Sequence, residues 1–187
     1  MSTPLIIVSA PSGAGKSSLC NKALQEFPEL VDSVSFTTRA PREGETNGNP
    51  YFFVSQAEFE KRINEDYFAE WAKVHEFYYG TPRYQIEDAF RNGKHLIMDI
   101  DVQGANSLKA KYPDCHTIFV LPPSIEELRR RLEARDSGKT QNLEIRLKNA
   151  EKECNQADRF DYSLVNRDFD KAYADFRKII EIILNKR

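Results

Sequence analysis

Apolar positions along this chain follow two rhythms. Leu5-Ile6-Ile7-Val8 is an unbroken apolar run, the pattern of a strand buried on both faces, and Leu19, Ala23, Leu24 and Phe27 then recur at helical spacing. The C-terminal half repeats this alternation. His95-Leu96-Ile97-Met98-Asp99 predicts a buried strand ending in a carboxylate, and Thr117-Ile118-Phe119-Val120-Leu121 predicts another, stopped by Pro122-Pro123. Ser124 then offers an N-cap with Glu127 three residues on, a capping-box pattern. Ile125, Leu128 and Leu132 form the stripe of that helix, and Leu143, Leu147, Ala150 and Cys154 the stripe of the next. Tyr162-Ser163-Leu164-Val165 reads as a short strand, and Phe169, Ala172, Phe176, Ile179, Ile180 and Ile183 as a long amphipathic final helix.

The middle of the chain breaks the rhythm. From about 33 to 81 the pieces are short, polar and aromatic, with one small helix opened by a second capping box, Ser55 and Glu58. The expectation is an α/β fold: a three-layer parallel-sheet core (1–32, 82–124 and 159–187), an inserted mixed α+β lobe (33–81) and a small helical lid (125–158). Within the lid, Asp136 to Asn142 is polar and glycine-containing, as suits a mobile segment.

Composition narrows the function classes. A chain of 187 residues with net charge −2 suits one compact domain and argues against a general nucleic-acid binder. Basic residues cluster locally instead, which suits a small anionic ligand. Cys20, Cys115 and Cys154 form no C-x-x-C pair, and with three histidines they make no zinc set. Widely spaced thiols point to a reducing compartment. No apolar run approaches the length of a membrane span and the N-terminus lacks a signal-peptide profile, so a soluble cytoplasmic protein is expected.

The chemistry begins at Ser9-Ala10-Pro11-Ser12-Gly13-Ala14-Gly15-Lys16-Ser17-Ser18. Between a strand and a helix, this is the context of a phosphate-binding P-loop, although Ala10 stands where the first glycine is usual. Its backbone N–H groups can cradle phosphate oxygens at a helix N-terminus, Lys16 adds charge and Ser17 can hold Mg²⁺. The bland alternative is a glycine turn capping an ordinary helix. Asp99, ending a strand, stands where an acid is expected to touch Mg²⁺ directly or through water. Asp101 would share its side if the strand continued. Asp101-Val102-Gln103-Gly104 also fits the D-x-x-G of GTPases, but the chain has no N-K-x-D to accompany it.

Two arginine groups complete the set. Arg39 and Arg42 lie close together beside a tyrosine, and guanidinium forks bind phosphate bidentately. The competing reading is a solvated loop whose arginines pair with Glu43 and Glu45. Arg131 and Arg135, at i and i+4, point the same way from the helix opened by Ser124, and Arg146 follows on the next. Glu127 could offset Arg131, the ordinary charged-face reading, whereas Arg129 and Arg130 point elsewhere.

The string T-T-R-x-x-R-x-x-E-x-x-G-x-x-Y-x-F from Thr37 to Phe53 resembles the signature of guanylate kinases. So do Glu70-Trp71-Ala72, Tyr79-Gly80-Thr81 and Asp99-Ile100-Asp101-Val102-Gln103-Gly104, and the P-loop resembles the bacterial form, where alanine at the first position is familiar. The match is collinear from about residue 4 to the final helix. It implies a kinase that passes a phosphoryl group from ATP to GMP, and to dGMP, with Mg²⁺ held by Ser17 and Asp99. Non-catalytic guanylate-kinase-like modules share the fold but usually lose P-loop and lid residues that this chain keeps.

By this resemblance the ATP side comprises Ala10, Pro11, Ser12, Gly13, Ala14, Gly15, Lys16, Ser17 and Ser18, with Asn166 near the adenine. Arg39, Arg42, Tyr51 and Tyr79 hold the GMP phosphate, and Glu45 belongs to the same side. Ser35, Glu70, Thr81 and Asp101 surround the guanine, with Asp99 and Gly104 adjacent. Thr81 replaces a common serine and keeps the hydroxyl. Lys16, Arg131, Arg135 and Arg146 carry the catalytic charge. Guanine presents N1–H and its amino group as neighbouring donors that a carboxylate can accept in parallel, whereas adenine's N1 is an acceptor. The implied partners are ATP and GMP, with no nucleic acid and no membrane. The number of subunits is left open, a homo-oligomer included.

Overall fold

A computed structural model of the chain describes residues 5–74, 76–135 and 142–185. The expected lid segment Asp136 to Asn142 therefore lies, except for its last residue, outside the described residues. In chain order the strands and helices are β1 (Leu5–Ser9), α1 (Lys16–Glu26), β2 (Leu30–Asp32), β3 (Phe36–Thr37), β4 (Thr46–Asn47), β5 (Pro50–Phe53), α2 (Gln56–Asn64), β6 (Phe68–Val74), β7 (Phe77–Pro82), α3 (Arg83–Arg91), β8 (His95–Asp99), α4 (Val102–Lys111), β9 (His116–Leu121), α5 (Ile125–Arg135), α6 (Leu143–Cys154), β10 (Tyr162–Val165) and α7 (Phe169–Asn185).

The fold is α/β. Strands β10-β9-β1-β8-β2 form a parallel sheet in that order. β1, buried at every one of its five residues, takes the centre between β9 and β8, whose ends are only half-buried. Ile6 and Val8 join Leu19, Ala23, Phe176 and Ile180 under α1 and α7, while Leu5 and Ile7 join Ile86, Ala89, Ala105 and Leu108 under α3 and α4. This makes three layers. The carboxyl ends of β1, β8 and β10 come together, and a ligand site is expected in the crevice beyond them.

The second sheet, β4-β5-β3-β7-β6, mixes parallel and antiparallel pairs. Its core is aromatic: Phe36, Phe59 and Phe68 are buried, and Phe59 stacks on Phe68 with centroids 4.5 Å apart. Helices α5 and α6 close a separate aliphatic cluster of Leu128, Leu132, Leu147 and Ala150.

Local capping matches the pattern where side chains could provide it. Ser55 Oγ accepts from Glu58 N at 3.2 Å, and Ser124 Oγ from Glu127 N at 3.1 Å. One expectation changes. A strand running past Asp99 would set Asp101 on the same side, but β8 stops at Asp99. Asp101 instead caps α4, accepting from Gly104 N at 3.0 Å through Oδ1 and from Gln103 N at 3.1 Å through Oδ2. The free N–H groups of a new helix outcompete one more strand residue.

Candidate active site

The loop after β1 enters α1 through Gly15, whose φ of +89° lies in the left-handed region. A Cβ there would also meet the Asn166 side-chain nitrogen at 2.3 Å. No side chain caps α1. Its first N–H groups are left open at the positive end of the helix dipole, a ready anion site. Lys16 Nζ sits 2.5 Å from Asp99 Oδ1 and donates to the Ile100 carbonyl at 2.7 Å. Ser17 Oγ donates to Asp99 Oδ2. Strand β8 thus delivers one carboxylate to both chemical groups of the loop.

Asn166, expected near the adenine, is buried at the end of β10, and its side chain turns to the loop. Its side-chain amide donates to the Ala14 carbonyl at 2.8 Å, and its main-chain carbonyl accepts from Arg131 Nη2 at 2.9 Å. Arg131 also donates to Glu127 through Nε at 2.9 Å, the offset expected of a charged face. Arg130 and Arg131 hold the Glu127 carboxyl well below the usual carboxylate range. Arg129 pairs with Glu144 instead. Arg146 reaches across from α6, donating to Ser12 Oγ at 2.8 Å. The side chain of Arg135 lies outside the described residues.

The second lobe presents a different surface. The Arg39 guanidinium lies 5.5 Å from the centre of the Tyr51 ring and 5.6 Å from that of Phe53. It pairs with Glu45 at 2.9 Å, while the other face of the turn is held by Arg42 N donating to Glu45 at 2.8 Å. Burial pushes the Glu45 carboxyl up, but these donors more than offset it and the group stays below its ordinary range. The ion-pair reading is seen at Arg39, which Glu45 fixes in place. Arg42 is exposed. Tyr51 and Tyr79 meet edge-on at 5.8 Å. Burial raises the Tyr51 phenol, and the Asp99 charge raises it further, so it remains a proton donor beside the P-loop aspartate.

Deeper in the lobe, Glu70 is buried with 4 % exposure. Its Oε1 accepts from Thr81 N at 3.1 Å and from Thr81 Oγ1 at 2.7 Å. With the Thr81 proton committed to Glu70, the Ser35 hydroxyl must be the donor in its 3.2 Å contact with Thr81 Oγ1. Oε2 faces Gly104, where a Cβ would lie 2.6 Å from it. Burial pushes the Glu70 carboxyl up to about 7, against the pull of the Thr81 hydroxyl and with a further push from Asp101. The structure thus brings Ser35, Glu70, Thr81, Asp101 and Gly104 together. Spacing alone did not show that Ile100 holds Lys16, because a carbonyl leaves no mark in the sequence.

An uncapped helix start beside Lys16 and a glutamate-held arginine in the second lobe are the features of a P-loop phosphotransferase with a small phosphorylated acceptor. Comparison with known proteins narrows that class. The family model described as guanylate kinase matches residues 2–182. A guanylate kinase of Bdellovibrio bacteriovorus is 52 % identical over 184 residues, covering 98 % of this chain and 100 % of that protein. One from Caldanaerobacter subterraneus subsp. tengcongensis is 43 % identical over 94 % of this chain and 85 % of its own length. Among solved structures, the crystal structure of guanylate kinase from Anaplasma phagocytophilum superposes with a TM-score of 0.82 at 33 % identity, covering 97 % of this chain and 86 % of that one. The chain belongs to the guanylate kinase family.

Proposed function

We propose that this protein transfers the γ-phosphoryl group of ATP to GMP, giving ADP and GDP, and accepts dGMP in the same site. The observation that carries the acceptor choice is Glu70. It is buried, with one oxygen taken twice by Thr81 and the other turned inward toward Gly104. A carboxylate so placed wants neighbouring N–H donors, and guanine supplies them where adenine offers an acceptor.

Phosphoryl transfer asks the protein for alignment and charge neutralisation rather than covalent chemistry. The P-loop amides and Lys16 hold the ATP phosphates. Arg39, Arg42, Tyr51 and Tyr79 hold the GMP phosphate, whose ionised oxygen attacks the γ-phosphorus as the bond to the bridging oxygen of ADP breaks. No general base is needed, since that oxygen is already ionised at pH 7. Arg131 and Arg146 stabilise the charge on the transferred group, and Arg135 joins them on the sequence resemblance alone. The Ser17 hydroxyl and Asp99 carboxylate, hydrogen-bonded to each other, are hard oxygen donors that fit Mg²⁺. When bound there, Mg²⁺ supplies neutralising charge to the ATP phosphates.

Among the described residues no helix is long and apolar enough to cross a membrane. The three cysteines are free, with Cys20 and Cys115 buried, which fits a reducing cytoplasm. A coupled assay with GMP, dGMP, AMP and UMP as acceptors tests the proposal. Turnover with GMP and dGMP is expected, and none with GMP would overturn it.

A further inference from the structure

Helix α6 places Arg146, Asn149 and Glu153 at i, i+3 and i+7, so the three share one face. Arg146 and Glu153 are about 10 Å apart along the axis, at 1.5 Å per residue. At one end Arg146 already touches Ser12 of the P-loop. At the other, Glu153 and Asn149 line a cleft of about 270 Å³ together with Asp101 and Gln103 at the start of α4 and Val74 of β6. The helix therefore spans from the donor side to the wall of the acceptor side.

Glu153 is partly buried, and among the described residues its carboxylate has no hydrogen bond and no salt bridge. Three charged groups surround it: Asp101 from α4, Lys16 from α1, and its neighbour Lys152, which also lines the cleft. Burial pushes its carboxyl up to about 7, Asp101 pushes further and Lys16 pulls back. A carboxylate partly withdrawn from water, facing another carboxylate and holding no donor, is stabilised by whatever brings a donor. The ATP phosphates are anions and would be repelled. With N1–H assigned to Glu70, the nucleoside part of the acceptor still offers the 2-amino group of the base and the ribose hydroxyls, of which the 2′-hydroxyl lies nearer the base.

We propose that Glu153 determines acceptor specificity by accepting a hydrogen bond from one of these two groups, so that α6 joins occupancy of the acceptor site to the placement of Arg146 on the donor side. This rests on the reading of the lobe as the GMP site.

The test uses the full chain, with Glu153→Ala and Glu153→Gln compared against the unchanged protein on GMP, dGMP and IMP. The unchanged protein must first turn over GMP; if it does not, the GMP reading fails and Glu153 is not the cause. Glu153→Ala is expected to lose about tenfold or more in kcat/KM for GMP, with Glu153→Gln between the two and KM for ATP within about twofold of unchanged. If the donor is the 2′-hydroxyl, the GMP-to-dGMP preference collapses in Glu153→Ala; if it is the amino group, the GMP-to-IMP preference collapses. The same loss on all three acceptors, a loss confined to ATP, or unchanged kinetics would each overturn the proposal. Thermal unfolding of both variants is expected to match or exceed that of the unchanged protein, since a partly buried carboxylate without a donor has been removed. A marked fall in melting temperature together with uniform activity loss would assign Glu153 a structural role instead.

Discussion

On the proposed donor side the loop offers chiefly main chain: a carbonyl tied down by Asn166, and a helix start that no side chain caps. On the proposed acceptor side the groups are side chains, several of them held by another. Glu45 fixes Arg39, Thr81 fixes Glu70, and Ser35 fixes Thr81. The first arrangement suits a charge pattern common to all nucleoside triphosphates. The second, as proposed, suits discrimination among bases, and its cost is a carboxyl buried away from water. Generality comes from backbone, which all sequences share; selectivity comes from side chains buried in numbers that would otherwise destabilise the fold.

The strongest blow to this contrast would come from Lys16→Met. The loop's own charge would be gone, and turnover should fall by about two to three orders of magnitude. Near-normal kcat would remove Lys16 from the transfer step and leave the loop as a mere helix start.

Glu70→Gln should affect only the acceptor side. Its amide would turn donors toward the donors of guanine, so kcat/KM for GMP should drop by roughly thirtyfold to a hundredfold while KM for ATP holds. Equal losses for both substrates would contradict the separation of the two sites. The same variant carries a stability signature. Burial pushes the Glu70 carboxyl from its ordinary 4.5 up to about 7 in the folded protein, so its favourable contribution is complete below about 4.5 and is lost as pH rises through 7. At pH 8 the ionised group costs on the order of 3 kcal/mol. Glu70→Gln should therefore be more stable than the unchanged protein in urea at pH 8, with the gap closing at pH 5.

A smaller effect separates the sites by pH. Guanine's donors favour ionised Glu70, so GMP affinity should weaken up to about tenfold per unit as pH falls below about 7. Calorimetry in two buffers of different ionisation heat should detect proton release on GMP binding, and Glu70→Gln should remove much of it. The smallest expected change is that of Tyr51→Phe, which deletes one phosphate donor among several and should raise KM for GMP about fivefold to tenfold. An effect on ATP alone would move Tyr51 to the other side.

The two regions were also unequally legible in the chain. The α/β rhythm of β1, β8, β9 and β10 is written in long apolar runs and in capping residues such as Ser124, because central parallel strands must be apolar throughout. Strands β3 and β4 are two residues each, and β3 pairs with β5 and β7 through non-local hydrogen bonds that no local pattern records. At the site, Lys16, Ser17 and Asp99 could be read as one set from motif spacing. That Asp101 would leave the strand to cap α4 depended on where β8 stopped. That Asn166 would hold the Ala14 carbonyl, and Glu45 the Arg39 guanidinium, depended on side-chain directions set only by packing. Glu153 belongs to no motif; its one trace is the seven-residue interval from Arg146.

The aromatic cluster of Phe36, Phe59 and Phe68 shares no member with the clusters on either face of the main sheet. Its interior is its own, while the lobe is stitched to the main core at one strand: Ala69 of β6 is buried with the residues under α3 and α4, and Lys111 of α4 holds its carbonyl at 2.6 Å. A segment exchanged to redirect the protein to another monophosphate would have to keep that one seam and could change the aromatic interior freely.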